Sequence, residues 1–311
     1  MLSIATVVLP VFLVIGAGYV AVWRKLMKPE HIDGLMRFAQ GVALPVLLFR
    51  ALSTLDLATG FDPRFLGAFY GGATAGFFAG MLGARYLFHR DWEDAVAIGF
   101  IGLFSNSLLL GLSITERAYG AEALTANFAI IAVHSPYCYF LGITTMEVVR
   151  ARRGGTGARG LVPKVLRAMF SNALIVGISL GFLLNISGLT LPEPVTSGLD
   201  MLARAGIPAA LFGLGGVLLR YRPEGDMRTI LFITACSIVL HPAVTFGLAH
   251  LFGLSVGAMR SAVVTAAMAP GVNAYLFADM YGRARRVAAS SVLIGTGLTI
   301  ASAAFWIMVL P

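Results

Sequence analysis

Two apolar stretches of the chain are each interrupted by residues that disfavour a helix and by a polar amide. The first reads GLFSNSLLLGLSIT, with Asn106 between two serines. The second reads AAMAPGVNAYLFADMYG, with Pro270 and Gly271 followed by Asn273. A broken helix presents free backbone N–H groups at its new N-terminus, and this end bears partial positive charge. Together with directional amides, such ends form a site suited to an anion.

A second interpretation is that both interruptions are structural kinks whose amides bond only to their own backbone. Each N–H or C=O group freed by a break costs several kcal/mol if it is left unpaired in lipid. A break is therefore tolerated only where protein or a water-filled cavity satisfies those groups. The position of the two breaks in a repeated plan, described below, favours the functional interpretation.

The surrounding composition is that of an all-α integral membrane protein. The chain has 311 residues, of which 58% are hydrophobic and 12% are charged, and its mean hydropathy is +0.84. A soluble domain has about 25% charged residues. The net charge of +8 lies mostly in short gaps between apolar runs, which indicates cytoplasmic loops and excludes nucleic acid as a partner. The apolar N-terminal run has no basic region before it, so we expect a first spanning helix and not a removed signal peptide.

Apolar runs long enough to span a bilayer fill nearly the whole chain. We predict ten transmembrane segments, and a reading with nine is the main alternative. The ten segments are approximately 4–23, 33–53, 63–88, 94–115, 121–148, 165–186, 195–219, 228–252, 258–280 and 286–310.

The distribution of positive charge predicts the orientation. The gaps that follow odd-numbered segments, together with the segment ends that border them, hold 17 of the 23 Lys and Arg residues. Positive charge marks cytoplasmic loops, so we expect both termini on the periplasmic side of a bacterial inner membrane. The longest gap, ARRGGTGARGLVPK, is then a cytoplasmic linker.

Short motifs recur at one offset of about half the chain. ALPVLLF around Pro45 resembles GIPAALF around Pro208, 163 positions later, and Tyr119 in AYG corresponds to Tyr281 in MYG, 162 positions later. We therefore predict two five-helix repeats, 1–148 and 165–311, joined by the linker 149–164. Five is an odd number, so the second repeat enters the membrane from the opposite side, as in many transporters. In this plan segments four and nine, which carry the breaks, correspond to each other.

Other chemistries are not indicated. The chain lacks the motifs of hydrolases, zinc proteases and phosphate-binding loops, so we expect no enzyme. We predict no cofactor, and no metal site either, because no segment interior holds a carboxylate cluster. The two cysteines, Cys138 and Cys236, are far apart and suggest buried side chains. Asp200 and Arg204 are spaced to form an ion pair on one helix.

Three stretches resemble the auxin efflux carrier family in its bacterial branch. They are LPVFLVIGAGYVAVWRKLMKPEHIDGLMRFAQGVALPVLLFRALS, FSNSLLLGLSIT, and AAMAPGVNAYLFADMYG followed by ASSVLIGTGLT. The resemblance implies a scaffold domain of helices 1, 2, 6 and 7 and a transport domain of helices 3–5 and 8–10. It also implies an elevator-like mechanism for small organic anions, such as indole acetic acid in plants and malonate or malate in bacteria. Assembly as a homodimer through the scaffold domain is left open.

The same resemblance implies which residues line the substrate site. Asn106 matches the asparagine of the first crossover, and Ser107 follows it. Pro270 matches the proline of the second crossover, with Val272 and Asn273 beside it. His134 falls at a polar lining position of helix five, and Leu44 at a scaffold position that faces the pocket. Ser105 and Ser113 replace prolines of many relatives, which leaves the break point in segment four open.

The driving force is also left open by the sequence. A histidine inside a membrane segment is a functional candidate, and His134 could bind a proton. The alternative is a neutral histidine that satisfies a backbone group near Pro136. The nearest alternative to the uncoupled carrier is a sodium- or proton-coupled importer resembling bile-acid symporters.

The orientation can be tested by labelling a single cysteine from outside intact cells. Gly155→Cys lies in the predicted cytoplasmic linker, so a membrane-impermeant thiol reagent should leave it unlabelled until the cells are broken. Efficient labelling in intact cells would reverse the predicted orientation.

Overall fold

The computed structural model describes residues 4–56, 60–152, 172–221 and 223–311. All regular elements in these residues are helical, and seven helices are long and apolar enough to cross a membrane. These spans are Ala5–Trp23, Pro29–Ser53, Pro63–Tyr86, Ala121–Arg152, Glu193–Leu218, Met227–Leu251 and Arg285–Val309. Most of the predicted linker 149–164, including Gly155, lies outside the described residues, as does the start of predicted segment six.

The difference between seven observed spans and ten predicted segments has identifiable origins. Segments four and nine appear as pairs of short helices, as their breaks predicted. Segment six is described only from Asn172 onward, where the Asn172 side chain accepts a hydrogen bond from Leu174 N (3.0 Å) and caps a helix of 15 residues.

Fourteen α-helices and three π-helical turns make up the described elements of more than three residues. The helices are α1 Ile4–Trp23, α2 Pro29–Phe38, α3 Leu44–Ser53, α4 Pro63–Tyr86, α5 Trp92–Leu103, α6 Leu112–Tyr119, α7 Leu124–Arg152, α8 Ala173–Ser187, α9 Glu193–Leu218, α10 Met227–Ala235, α11 His241–Leu251, α12 Val256–Ala266, α13 Val272–Tyr281 and α14 Arg285–Val309. The π-helical turns are Ala39–Ala43, Ser107–Gly111 and Cys236–Leu240.

These helices group into two compact units. Unit 1 contains α1, α2, α3, α8 and α9, and unit 2 contains the remaining helices. Each unit draws its helices from both halves of the chain, so neither unit is one of the predicted sequence repeats.

Small residues bring the helices of unit 1 into close contact. A Cβ atom on Gly18 of α1 would collide with the backbone carbonyl of Phe212 in α9. In the same way, a Cβ atom on Gly177 of α8 would collide with the backbone of Pro45. Helix association in a membrane depends on such close van der Waals packing, because lipid offers no hydrophobic driving force.

An ion pair joins α3 and α9 within unit 1. Arg50 donates from Nε to a carboxylate oxygen of Asp200 at 2.7 Å and from a terminal nitrogen to the other oxygen at 3.4 Å. The predicted pair between Asp200 and Arg204 is therefore wrong. The carboxylate turns to a guanidinium on the neighbouring helix, which offers it a two-point contact.

Unit 2 is built around the glycine-rich helix α4. Gly76 of α4 and Gly102 of α5 lie so close that a Cβ on either residue would be less than 3 Å from the other's carbonyl oxygen. Gly80 and Gly99 continue this contact one turn away. The absence of side chains here lets the first half of broken segment four lie directly against α4.

A cluster of charges lies at one end of unit 2. Arg283, just after α13, donates to Asp91 (3.1 Å) and Glu93 (3.2 Å) at the start of α5. Arg150 of α7 also donates to Glu93 (3.0 Å). Three chain segments are thus tied together at the ends that flank the two broken segments.

Close packing of α1 predicts opposite effects for two neighbouring glycines. Gly18→Ala should lower the stability of unit 1 by about 1–3 kcal/mol, because the new methyl group overpacks the contact with Phe212. Gly16 has no atom near its Cβ position within 4 Å, so Gly16→Ala should be neutral or stabilising by up to about 1 kcal/mol. Thermal unfolding of the two purified variants in detergent compares them, and equal melting temperatures would contradict the packing argument.

Candidate functional site

The break in predicted segment four lies between Leu103 and Ser107. Helix α5 ends at Leu103, and a π-helical turn begins at Ser107 and leads into α6. Asn106 is the N-cap of this turn, and its side-chain oxygen accepts a hydrogen bond from Leu109 N at 3.3 Å. The break therefore forms without a proline, because the Asn106 amide satisfies one of the donors that the interruption frees.

The break in predicted segment nine lies between Ala266 and Val272. Helix α12 ends at Ala266, and α13 begins at Val272 with Gly271 as its N-cap. Gly271 has an extended backbone and no side chain that could cap the helix. The N-terminus of α13 is therefore open.

The two breaks cross and bond to each other. Asn106 N donates to the carbonyl oxygen of Ala269 (2.8 Å), and Gly271 N donates to the carbonyl oxygen of Phe104 (2.8 Å). The two extended segments that cross run antiparallel, and Ser105 lies opposite Pro270. Backbone groups that lose their helical partners at one break thus bond to the other break. These bonds avoid the free-energy cost of unpaired polar groups in an apolar environment.

Helix α14 stabilises the crossing through two side-chain hydrogen bonds. The Thr299 hydroxyl accepts from Ala269 N (2.9 Å), and the Ser302 hydroxyl donates to the carbonyl oxygen of Ala267 (3.1 Å). The sequence analysis missed both residues. Their spacing of three places them on one face of a helix, and this was the only signal available.

Helix α7 brings two more polar groups to the crossing. His134 Nε2 lies 3.1 Å from the carbonyl oxygen of Ser105, and the imidazole ring lies 4.5 Å from the Phe104 ring. The Tyr139 hydroxyl donates to Oδ1 of Asn273 at 3.3 Å. His134 does satisfy a backbone group, as the structural alternative expected, but the group belongs to the break and not to the region of Pro136.

Six of the seven predicted site residues therefore come together in unit 2. Asn106 and Ser107 lie on one side of the crossing, Pro270, Val272 and Asn273 on the other, and His134 beside them. The seventh, Leu44, lies in unit 1, where its side chain is buried near Gly206.

The crossing presents unpaired N–H donors. The N–H groups of Leu108, Val272 and Asn273 have no hydrogen-bond partner in the described part of the chain. They belong to the first turns after the two breaks, where the helix dipole contributes partial positive charge. Carboxylates bind well to such donors, and the side-chain amides of Asn106 and Asn273 add direction.

Comparison with known proteins places the chain in a family. The model of the family described as "Membrane transport protein" matches residues 3–307. The chain belongs to this family. It is a multi-pass membrane transport protein, and the resemblance to auxin efflux carriers is confirmed.

Two relatives illustrate the range of the family. A protein of Rhizobium meliloti named "Putative malonate transporter" is 25% identical over 97% of this chain and 94% of its own length. Auxin efflux carrier component 8 of Arabidopsis thaliana is 21% identical over 94% of this chain and 93% of its own length. Both names describe transporters and not enzymes.

Two glycines of α14 differ in how close they lie to the crossing, so their substitution tests how transport depends on packing between α14 and the crossing. A Cβ atom on Gly295 would lie 2.8 Å from Cδ of Pro270, whereas Gly297 has no neighbouring atom within 4 Å. Gly295→Ala should therefore displace the crossing and weaken transport several-fold, while Gly297→Ala should transport normally. Initial uptake rates in proteoliposomes, normalised to inserted protein, measure the difference. Equal rates would show that the crossing tolerates this displacement.

Proposed function

We propose that this protein is a secondary carrier of small organic anions, with the substrate carboxylate bound where the two broken segments cross. The observation that carries the proposal is that two helical N-termini, at Ser107 and Val272, begin directly beside the crossing. Their free N–H groups and two asparagine amides form an anion-binding surface without a fixed positive side chain. The names of the two relatives support a carboxylate as substrate, since malonate and auxin both carry this group.

The proposal includes the ten-segment inverted plan. It is supported by the two breaks, which occur in the segments that the repeat pairs with each other. It is also supported by Pro45 and Pro208, which both lie past the middle of their spans, Pro29–Ser53 and Glu193–Leu218, in unit 1. Two further parts belong to the same proposal. Location in a bacterial inner membrane rests on the resemblance to the bacterial branch of the family, and the placement of both termini outside rests on the charge distribution.

The resemblance to auxin efflux carriers implies an elevator-like movement, which we include in the proposal. Unit 1 would act as the scaffold and unit 2 as the transport domain, with the substrate carried by unit 2. The grouping of the helices into these two compact units supports the assignment. Leu44 belongs to unit 1, and its role as a pocket residue stays a prediction, as does dimerisation through unit 1.

Substitution of Asn106 tests the site. Asn106→Ala should weaken binding of malonate or a related carboxylate by about 10- to 100-fold, the effect of losing one hydrogen bond to a charged group. Because Asn106 also caps the π-helical turn, the same change should cost about 1 kcal/mol of stability.

Asn106→Asp separates these two roles. An aspartate oxygen can still accept the hydrogen bond of Leu109 N, so the protein should keep its stability, but its charge repels the anion. Thermal unfolding and calorimetric titration of each variant give the two quantities. Wild-type affinity in both variants would remove Asn106 from the site.

The driving force gives a further test. An anion that leaves a cell with a negative interior gains about 2.3 kcal/mol per unit charge per 100 mV, which supports a gradient of about 50-fold. We propose potential-driven uniport with net export. Uphill import needs a coupled cation, and His134, whose Nε2 lies 3.1 Å from the Ser105 carbonyl oxygen, would be the group that takes up a proton.

Uptake into liposomes distinguishes these mechanisms when the potential and the pH gradient are imposed separately. Under uniport, the potential alone sets the direction, and His134→Gln changes only substrate affinity. Accumulation driven by a pH gradient at zero potential, and abolished by His134→Gln, would replace uniport with proton coupling.

A further inference from the structure

The described residues bury no Lys, Arg, Asp or Glu side chain, and this holds for each unit by itself. On segments four and nine the nearest cationic side chains are those of Arg117, Arg260 and Arg283. Each lies ten residues along the chain from the nearest predicted site residue of its segment, which corresponds to about 15 Å of helix. The other described cations of unit 2 lie at or near the ends of its helices. An anion at the crossing therefore has no positive side chain of unit 2 beside it.

The crossing offers uncharged donors in their place. The side-chain oxygens of both asparagines are already engaged, Asn106 Oδ1 by Leu109 N and Asn273 Oδ1 by the Tyr139 hydroxyl, each at 3.3 Å. Their amide nitrogens are left to face a ligand, beside the three free N–H groups at the starts of the two helical segments. An ionised carboxylate has about four lone-pair sites. These donors suffice for one carboxylate, and no countercharge is present for a second.

The net charge of the ligand decides how well such a site can hold it. The free-energy cost of moving an ion out of water rises with the square of its charge, and only a paired and hydrogen-bonded charge offsets it. Protonation of one carboxyl group of a dicarboxylate removes half of the charge. Above the pKa of that group, the protonated fraction falls only tenfold per pH unit.

We propose that the crossing binds monoanions, either a monocarboxylate or a dicarboxylate such as malonate in its half-protonated form. The inference rests on the proposed function, because it names the charge state of the substrate at that site. The protein remains a uniporter, since the proton of half-protonated malonate travels as part of the substrate. Total malonate then responds to a pH gradient even without His134, whereas a fixed monoanion responds to the potential alone.

The ionisable groups of the protein near the crossing have to be distinguished from the ligand. They bond to the crossing or reach it through contacts with neighbouring rings, and they are His134, Cys138 and Tyr139 on α7, Tyr70 on α4, His241 on α11 and Tyr275 on α13. Tyrosine and cysteine side chains are neutral near pH 6, so the imidazoles are the groups that could change charge there. Both imidazoles contact the Phe69 ring, His134 at 5.7 Å and His241 at 5.0 Å between ring centroids.

Three compounds with one carbon skeleton test the charge state. Malonamate is a fixed monoanion with the shape of half-protonated malonate, and malonamide is its neutral counterpart. Calorimetric titration of the full-length protein is carried out at pH values around and above the second ionisation of malonate. The Kd of malonamate should stay constant, and malonamide should not bind. The apparent Kd of malonate should rise about tenfold per pH unit once the dianion predominates, because only the remaining monoanion binds.

His134→Gln is the matched control for the location of the proton. Glutamine can still donate to the Ser105 carbonyl, but it cannot take up a proton in this range. The variant should change the affinities for malonate and malonamate by one common factor and keep the pH dependence of malonate. A malonamate affinity that falls with pH as steeply as that of malonate, in either protein, would place the proton on the protein and overturn the inference. Malonate affinity that stays constant once the dianion predominates would overturn it as well.

The charge moved per molecule gives an independent test. In proteoliposomes with equal pH on both sides, a potential of 100 mV supports a concentration ratio of about 50-fold for an anion of unit charge. Malonate and malonamate should reach the same ratio, because both cross as monoanions. A malonate ratio near the square of the malonamate ratio would show dianion transport and overturn the inference. Absence of binding and uptake for both compounds is a different result, which would overturn the proposed function and this inference with it.

Discussion

Most of this structure follows from the need to pair every backbone polar group inside an apolar environment. A continuous helix meets this need by itself, but segments four and nine do not remain continuous. Their breaks are sustained because Asn106 N and Gly271 N each reach a carbonyl of the other segment. Each break thus supplies hydrogen-bond partners for backbone groups that the other break frees.

The supporting helices can be understood from this constraint. Thr299 pairs the N–H of Ala269, and His134 lies at the carbonyl of Ser105, so groups beside the two crossing bonds also find partners. Gly76 and Gly102 then allow the first half of segment four to lie directly against α4. Close packing without side chains is the usual means of helix association in membranes.

The helical spans, their two breaks and the residues of the candidate site could be predicted from the sequence because the relevant signals are local. Apolar length indicates spanning helices, and the placement of a polar amide or proline within a span indicates a break. Asn106, Pro270 and Asn273 were identifiable on this ground, as was the interruption of two segments. The exact break point in segment four was not, because serine and asparagine break a helix less decisively than proline.

The remaining features depend on partners distant in sequence. Asp200 has a plausible partner four residues away, yet it bonds to Arg50, which lies 150 positions away along the chain. Asn127 reads as an ordinary polar residue until Thr265 is placed beside it. Pairing across helices depends on their packing, and residue spacing along one helix does not contain that information.

The crossing is formed by main-chain atoms, so sequence changes near it during evolution need not remove its hydrogen bonds. The two bonds between the breaks use the N–H of Asn106 and Gly271 and the carbonyls of Phe104 and Ala269, so no side chain is required to form them. Residues in the first turns after the breaks are then free to change without dismantling the frame. Related transporters can therefore differ in substrate through a few side chains, such as that of Val272, while the backbone of the crossing stays the same.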